Sequence, residues 1–416
     1  MSPAQPPVAA SYAARIAFVS ELAERLHGYG TTAQRLEGAL MAVAQRLRLD
    51  CEPWSNPTGI ILSFSDPTRP PGESDTTRVI RLAPGDTDLS KLCEADRIAE
   101  QVMAGELDLA EGHAALLALD REPTPRANAM LVLGFGLASA SVAGLLRLPW
   151  LDIATAATTG LLLGLLDLAM RHRPRLKEAG DAIAGILAAA IACMVAAWVA
   201  PINLNTVIIA SVIVLLPGMA LTNAVNELTS QHLVSGTARF AGAISTLLKL
   251  TVGTMIALVV CELLGIDPQV RALRAQPQWV EAGALVLAAF AFAVLFRSAR
   301  RDYPVVMLAA AAGYLVSRTA GEAWGSPVGV FLSALTLTAA GNAYARWRSR
   351  PGALVRVPGI ILLVPGSASL RGVISMFQQQ NLAAGQDALI GVLNILLALV
   401  AGLLFGNLLV PTRRNL

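Results

Sequence analysis

Hydrophobic and polar positions divide this chain sharply near residue 128. Before that point apolar residues recur at helical spacing or alternate, and no apolar run is long enough to cross a bilayer. From Ala129 onward, uncharged runs of about 14 to 23 residues follow one another. They predict about ten membrane segments, at 129–147, 153–170, 181–200, 204–217, 238–263, 279–297, 303–320, 325–345, 353–366 and 388–410. The fourth and ninth are short for a span, and each stops at a Pro-Gly pair. Thr206–Gly218 reads TVIIASVIVLLPG, and Val357–Gly366 reads VPGIILLVPG with its Pro-Gly 148 positions later. Interrupted apolar segments at corresponding positions of two halves point to the binding site of a secondary transporter.

The two halves also agree in spacing. Segments one to five and six to ten begin at an offset of roughly 144 to 150 residues, pair by pair. Five is odd, so a directly repeated sequence lies upside-down in the membrane the second time, as alternating access requires. The expected fold is therefore an α-helical polytopic membrane protein of about ten transmembrane helices. They form two inverted five-helix repeats with broken helices four and nine, and a small α+β N-terminal cytoplasmic domain precedes them. The expected division is 1–126 for that domain, 127–277 for the first membrane repeat and 278–416 for the second.

Within the N-terminal region, Ser11–Leu26 carries an amphipathic helical pattern broken at His27-Gly28-Tyr29-Gly30. Thr31 or Thr32 can cap a second helix running to about Leu47 and satisfy its free amides. Cys51–Ser65 and Arg78–Leu82 read as strands, and Leu89–Gly105 and Leu109–Leu119 as helices. Glu122–Arg126, with two prolines, links this region to the membrane.

Composition sharpens the class. Hydrophobic residues make up 55% of the chain and charged residues 15%, against roughly 25% charged in soluble domains. Basic residues cluster between apolar runs, at Arg171–Lys177, Arg297–Arg301 and Arg346–Arg350. That pattern is topology signalling with both termini cytoplasmic in a multi-pass inner (cytoplasmic) membrane protein. No basic stripe with interleaved aromatics suggests nucleic acid, so the lipid bilayer is the expected partner. The four cysteines are scattered without a CxxC pair, which argues against a metal site or disulfide. The N-terminus lacks the regions of a cleaved signal peptide. Walker A, HExxH and GxSxG motifs are missing, so neither an enzyme nor a cofactor is expected.

The candidate chemistry gathers at the breaks. A Pro-Gly break frees carbonyls before it, and a half-helix starting after it attracts a carboxylate. Pro217 with Gly218, and Pro365 with Gly366, are thus candidate substrate-binding positions. Asn223, Asn226 and Glu227 share one helical face, and Arg371 matches Asn223 in the second half. The alternative for that face is an amphipathic helix at the interface. Lys249 sits midway through an uncharged run, where a charge costs about 2.5–3.5 kcal/mol on insertion scales. It could hold a carboxylate, pair with Glu227 or titrate during transport; pointing into a wet vestibule is the bland alternative. Asp167 is a further coupling candidate beside Glu227 and Lys249, or simply a helix end.

The stretch from Gly28 through TTAQRLEGAL, Asn56-Pro57-Thr58 and Leu62-Ser63-Phe64 resembles the N-terminal domain of the threonine/serine exporter family (ThrE). The blocks LLPGMALTNAVNELTSQHLVSGTARFAGA (215–243) and RVPGIILLVPGSASLRG (356–372) resemble its two membrane halves, here fused. The resemblance implies export of small hydroxy amino acids (threonine, serine or similar), driven by protons. Relatives with split halves are associated with small dicarboxylates such as succinate, which keeps that substrate open. A homodimer stays open as well, and a membrane enzyme with a catalytic cytosolic domain is the remote alternative.

Overall fold

The computed structural model describes residues 10–68, 70, 75–271, 275–364, 366–378 and 382–411. In the N-terminal part, helix α1 (Tyr12–Gly28) starts where Ser11 Oγ accepts from the Ala14 amide at 3.2 Å. Helix α2 (Ala33–Arg46) follows after the Gly28–Gly30 break. Strands β1 (Asp50–Asn56), β2 (Gly59–Ser65) and β3 (Thr76–Arg81) form an antiparallel sheet in the order β1-β2-β3. The run expected as one strand over 51–65 is in fact a hairpin. Asn56 Oδ1 accepts from the Thr58 amide at 2.9 Å and its hydroxyl at 2.8 Å, and this local bonding turns the chain. Helices α3 (Leu89–Ala104) and α4 (Leu109–Leu117) complete the region.

Strand β2 alternates, and its buried side chains Ile60, Leu62 and Phe64 meet Phe18, Leu22 and Leu40 from the helices. This core does not end at the domain edge. It runs on into Phe292, Phe296, Ala353 and Leu354 of the membrane part. The Leu89 amide donates to the Phe296 carbonyl at 2.9 Å, and Arg297 lies 3.6 Å from Asp88. Apolar contact and directional bonds thus fix the N-terminal part on one face of the helices.

The membrane part begins with α5 (Pro125–Leu145), α6 (Trp150–Met170) and α7 (Pro174–Trp198). Next come α8 (Leu204–Ser211), α9 (Gly218–Thr229) and α10 (Leu233–Leu263). The second half holds α11 (Gln278–Leu295), α12 (Tyr303–Trp324) and α13 (Ser326–Arg348). It closes with α14 (Ala353–Ile361), α15 (Gly366–Gln378) and α16 (Leu382–Leu409).

Among the described residues, eight stretches are long and apolar enough to cross a membrane; α8 and α9, bent by 57°, make a ninth. The seventh expected segment is present as α12, of span length but carrying Arg318 and Glu322 in its last two turns, and it does not pass as a span by composition. Corresponding helices pack in both halves: α7 with α10 and α13 with α16, and α6 with α8 and α12 with α14. Glycines let these helices approach. A Cβ at Gly253 would lie 2.0 Å from the Ala182 carbonyl oxygen, and one at Gly402 would lie 2.5 Å from that of Phe331.

Candidate functional site at the paired helix breaks

The first break unwinds in stages. Helix α8 stops at Ser211, Ile213–Leu215 make one tight turn, and Leu216 is extended at φ −66° and ψ 129°. Proline forces that extension on the residue before it and has no amide to continue the ladder. The freed Ser211 carbonyl is not abandoned, because Ser139 Oγ of α5 donates to it at 2.9 Å. The second break follows α14, which contains Pro358, and resumes at Gly366. Pro365 lies outside the described residues.

The two breaks meet. A Cβ at Gly218 would stand 2.4 Å from Val364 Cγ1 and 3.6 Å from Gly366 Cα. A Cβ at Gly366 would stand 3.2 Å from Leu216 Cβ and 3.4 Å from Gly218 Cα. Two glycines 148 positions apart in sequence are therefore close neighbours, and a side chain on Gly218 would collide with Val364.

Above this contact opens a cavity of about 500 Å³. Gly218, Asn223, Gly366 and Ser367 line it, with the unwound Ile213–Leu216 segment along one side. Its charged wall combines Asp86 and Asp167 with Arg171, Lys177, Arg239 and Arg297. The starts of α9 and α15 both reach this wall, so two helix N-termini favour an anionic group there. Asp167, 3.8 Å from Arg171, supplies a carboxylate for a cationic group. The arrangement suits a small zwitterion or a small anion.

The sequence-expected residues separate into groups. Pro217 makes the bend, and Gly218, Asn223, Gly366 and Asp167 line the central cavity. Asn226 lines a second, smaller cavity instead. Glu227 is fully buried and faces neither. Its Oε1 accepts from the Ala33 amide at 3.0 Å, and its Oε2 accepts from Ser235 Oγ at 2.8 Å and Arg239 Nε at 3.1 Å. Lys249 is not paired with Glu227; it lies 3.6 Å from Asp181, among Phe240, Ile244, Leu248 and Val252 on an outward face. Arg371 is exposed on α15 and lines neither cavity. Arg318 of α12 pairs with Glu281 and with Glu322, the latter at 2.9 Å.

The capping of α2 also differs from expectation. Thr32 is the N-cap residue, yet its side chain makes no capping bond; the Ala33 amide is held by Glu227, 194 positions away. Sequence reasoning passed over Ser367, Lys177 and Asp86 as cavity residues. Lys177 was legible as a charge but read as topology, and nothing local marks Asp86.

Two family models match the chain, the ThrE threonine/serine exporter model over residues 17–261 and the model described as Threonine/Serine exporter, ThrE, over 282–409. A probable threonine/serine exporter of Mycobacterium tuberculosis is 24% identical over 411 residues, covering 94% of this chain and 76% of that protein. An uncharacterised protein of Schizosaccharomyces pombe is 23% identical over 384 residues, 88% of this chain and 45% of that one. Pheromone-regulated membrane protein 10 of Yarrowia lipolytica is 23% identical over 369 residues, 85% of this chain and 30% of that one. The chain thus spans most of its bacterial relative and less than half of these two fungal ones. No solved structure matches it. The membrane helices, the paired Pro-Gly breaks and both family matches agree: the chain belongs to the threonine/serine exporter family.

Proposed function

We propose that this transporter is a proton-driven secondary exporter of threonine, serine or similar small hydroxy amino acids across the inner membrane. The observation that carries the reading is the contact between Gly218 and Gly366 beside a cavity walled by two helix N-termini. The substrate carboxylate sits at the starts of α9 and α15, and its ammonium on Asp167 or a freed carbonyl. The two halves are inverted repeats, a reading supported by their matching helix pairs. Asp167 is the proton-coupling candidate, because it lines the cavity whereas Glu227 is committed to three donors. The N-terminal domain is cytoplasmic. Arg171, Arg297 and Arg300 line a cleft with its Lys91 and Arg121, as expected for the face that retains basic loops.

A second substrate class has its own support. Arg171, Lys177, Arg239 and Arg297 outnumber Asp86 and Asp167 around the cavity, which favours a small dicarboxylate. Counterflow of labelled threonine, serine and succinate into proteoliposomes decides between them, with Asn223→Ala beside the wild type. Saturable amino-acid exchange that falls in the variant is the expected result. Exchange of succinate alone moves the substrate to dicarboxylates, and exchange of none by folded protein removes the reading.

A further inference from the structure

A second cavity, of about 170 Å³, adjoins the central one along α9, at the joint between the N-terminal domain and both membrane halves. The loop and first turn of α2 close it from the domain side. Thr87 and the start of α3 (Leu89, Leu92) add to that side, and helices α9, α14 and α16 form the rest of its wall through residues such as Thr222, Asn226, Arg356 and Asn407. Among the described residues its lining contains two arginines, Arg35 and Arg356, and no acidic residue.

These groups are not served by the protein. Arg356 is 8% exposed, and its Nη1 is buried without a hydrogen-bond partner. Thr222, 1% exposed, has an equally unpartnered hydroxyl, and so do Thr31 and Thr32. With the Tyr29 hydroxyl, five of the twelve buried unpartnered side-chain atoms among the described residues therefore belong to residues lining this one small space. Arg35, half-buried, forms no ion pair among the described residues, and burial draws its guanidinium pKa down to about 10. Buried polar groups without partners are costly, and a buried unpaired charge more so. The start of α2 adds a partial positive charge on the same side.

We propose that this joint is a binding site for a small dianion, a dicarboxylate or inorganic phosphate, held between Arg35 and Arg356 with the threonine hydroxyls as further donors. Guanidinium forks suit carboxylate and phosphate oxygens alike. The ligand would touch the N-terminal domain and the half-helices beside both breaks, and Met219 and Asn223 line this cavity and the central one together. Occupancy therefore bears on how α9 moves against α14, which makes the site regulatory. The proposal does not depend on which solute crosses the membrane.

Calorimetric titration of the full-length protein in nanodiscs, at constant ionic strength, tests it with malonate and with inorganic phosphate as separate probes. Saturable binding of at least one is expected, weakened roughly thirtyfold or more by Arg356→Gln and by Arg35→Gln. Thr222→Val, a milder change, should weaken it less, and Arg348→Gln at the exposed end of α13 should leave it unchanged. Malonate binding alone assigns a dicarboxylate, and phosphate binding alone a phosphate. If neither binds saturably, or if affinity is the same in wild type, Arg356→Gln and Thr222→Val, the proposal falls. The last result would put the anion in the central cavity. Since the readout is binding, a failure of transport in proteoliposomes would leave this result standing by itself.

Discussion

Glu227 and Arg356 are both buried charges near the start of α2, and the protein treats them in opposite ways. Each lies on a half-helix beside a break, and each is buried where the N-terminal domain meets the membrane helices. Glu227 has a donor from the domain, one from a hydroxyl and one from an arginine. Arg356 has an unpartnered guanidinium nitrogen and a cavity in front of it. A satisfied buried charge fastens two parts together. An unsatisfied one waits for a ligand.

The comparison is broken most severely at Glu227. Glu227→Ala strands the Ala33 amide and Arg239, and should cost about 3–5 kcal/mol, read as a lower unfolding midpoint and faster proteolysis near Glu122–Thr124. An unchanged midpoint would mean that the carboxylate does not fasten the domain. Arg356→Met should have the reverse sign. In anion-free buffer it removes an uncompensated charge and should stabilise by about 1–4 kcal/mol in the same unfolding assay. Destabilisation there would equate the two residues after all.

At the breaks, Gly218→Val drives its side chain into Val364 and should cost about 1–3 kcal/mol in stability. Counterflow should be lost while the protein still folds, and full counterflow would detach the glycine contact from transport.

Acid tests the domain apart from the joint. His27 is buried with Nε2 3.1 Å from the Asn56 carbonyl oxygen, and burial holds its pKa below the ordinary value. The unfolded chain therefore takes the proton more readily. His27's contribution is complete above the ordinary histidine pKa of about 6.5 and fades as pH falls below it. A melting curve followed from pH 8 to 5 should fall accordingly and flatten in His27→Gln.

The smallest effect is expected at Lys249. Its pairing with Asp181 on an outward face predicts that Lys249→Ala changes exchange rates by about twofold or less. Complete loss would restore it to the transport path.

The breaks were legible because Pro and Gly act on the backbone wherever they occur, so Pro217-Gly218 marks an interruption without knowledge of its neighbours. Gly218, Asn223 and Gly366 came out at the cavity for the same local reason. Glu227 was visible as a polar residue among apolar ones, but its partner Ala33 is 194 residues away and contributes only a backbone amide. No side-chain pattern announces such a bond. Arg356 was hidden by a different effect: ahead of VPGIILLVPG it reads as a basic residue flanking a span. Lys249 drew attention because charge in an apolar run is rare, yet the run does not tell which face of α10 it occupies. For α12 the period and length were readable, while Arg318 and Glu322, paired with each other one turn apart, blur its apolarity, and only Arg318's second partner, Glu281, comes from the fold.

The glycine contact has a mechanical meaning. Where Gly218 and Gly366 touch, no side chain separates the two backbones, so the point can serve as a fulcrum. From it α9 extends over 12 residues, about 18 Å, and a tilt of about ten degrees swings its tip by roughly 3 Å. Glu227 sits near that tip with its grip on the start of α2. Small rotations at the fulcrum therefore arrive at the N-terminal domain as displacements of atomic size, and any load on the domain returns along the same lever to the breaks.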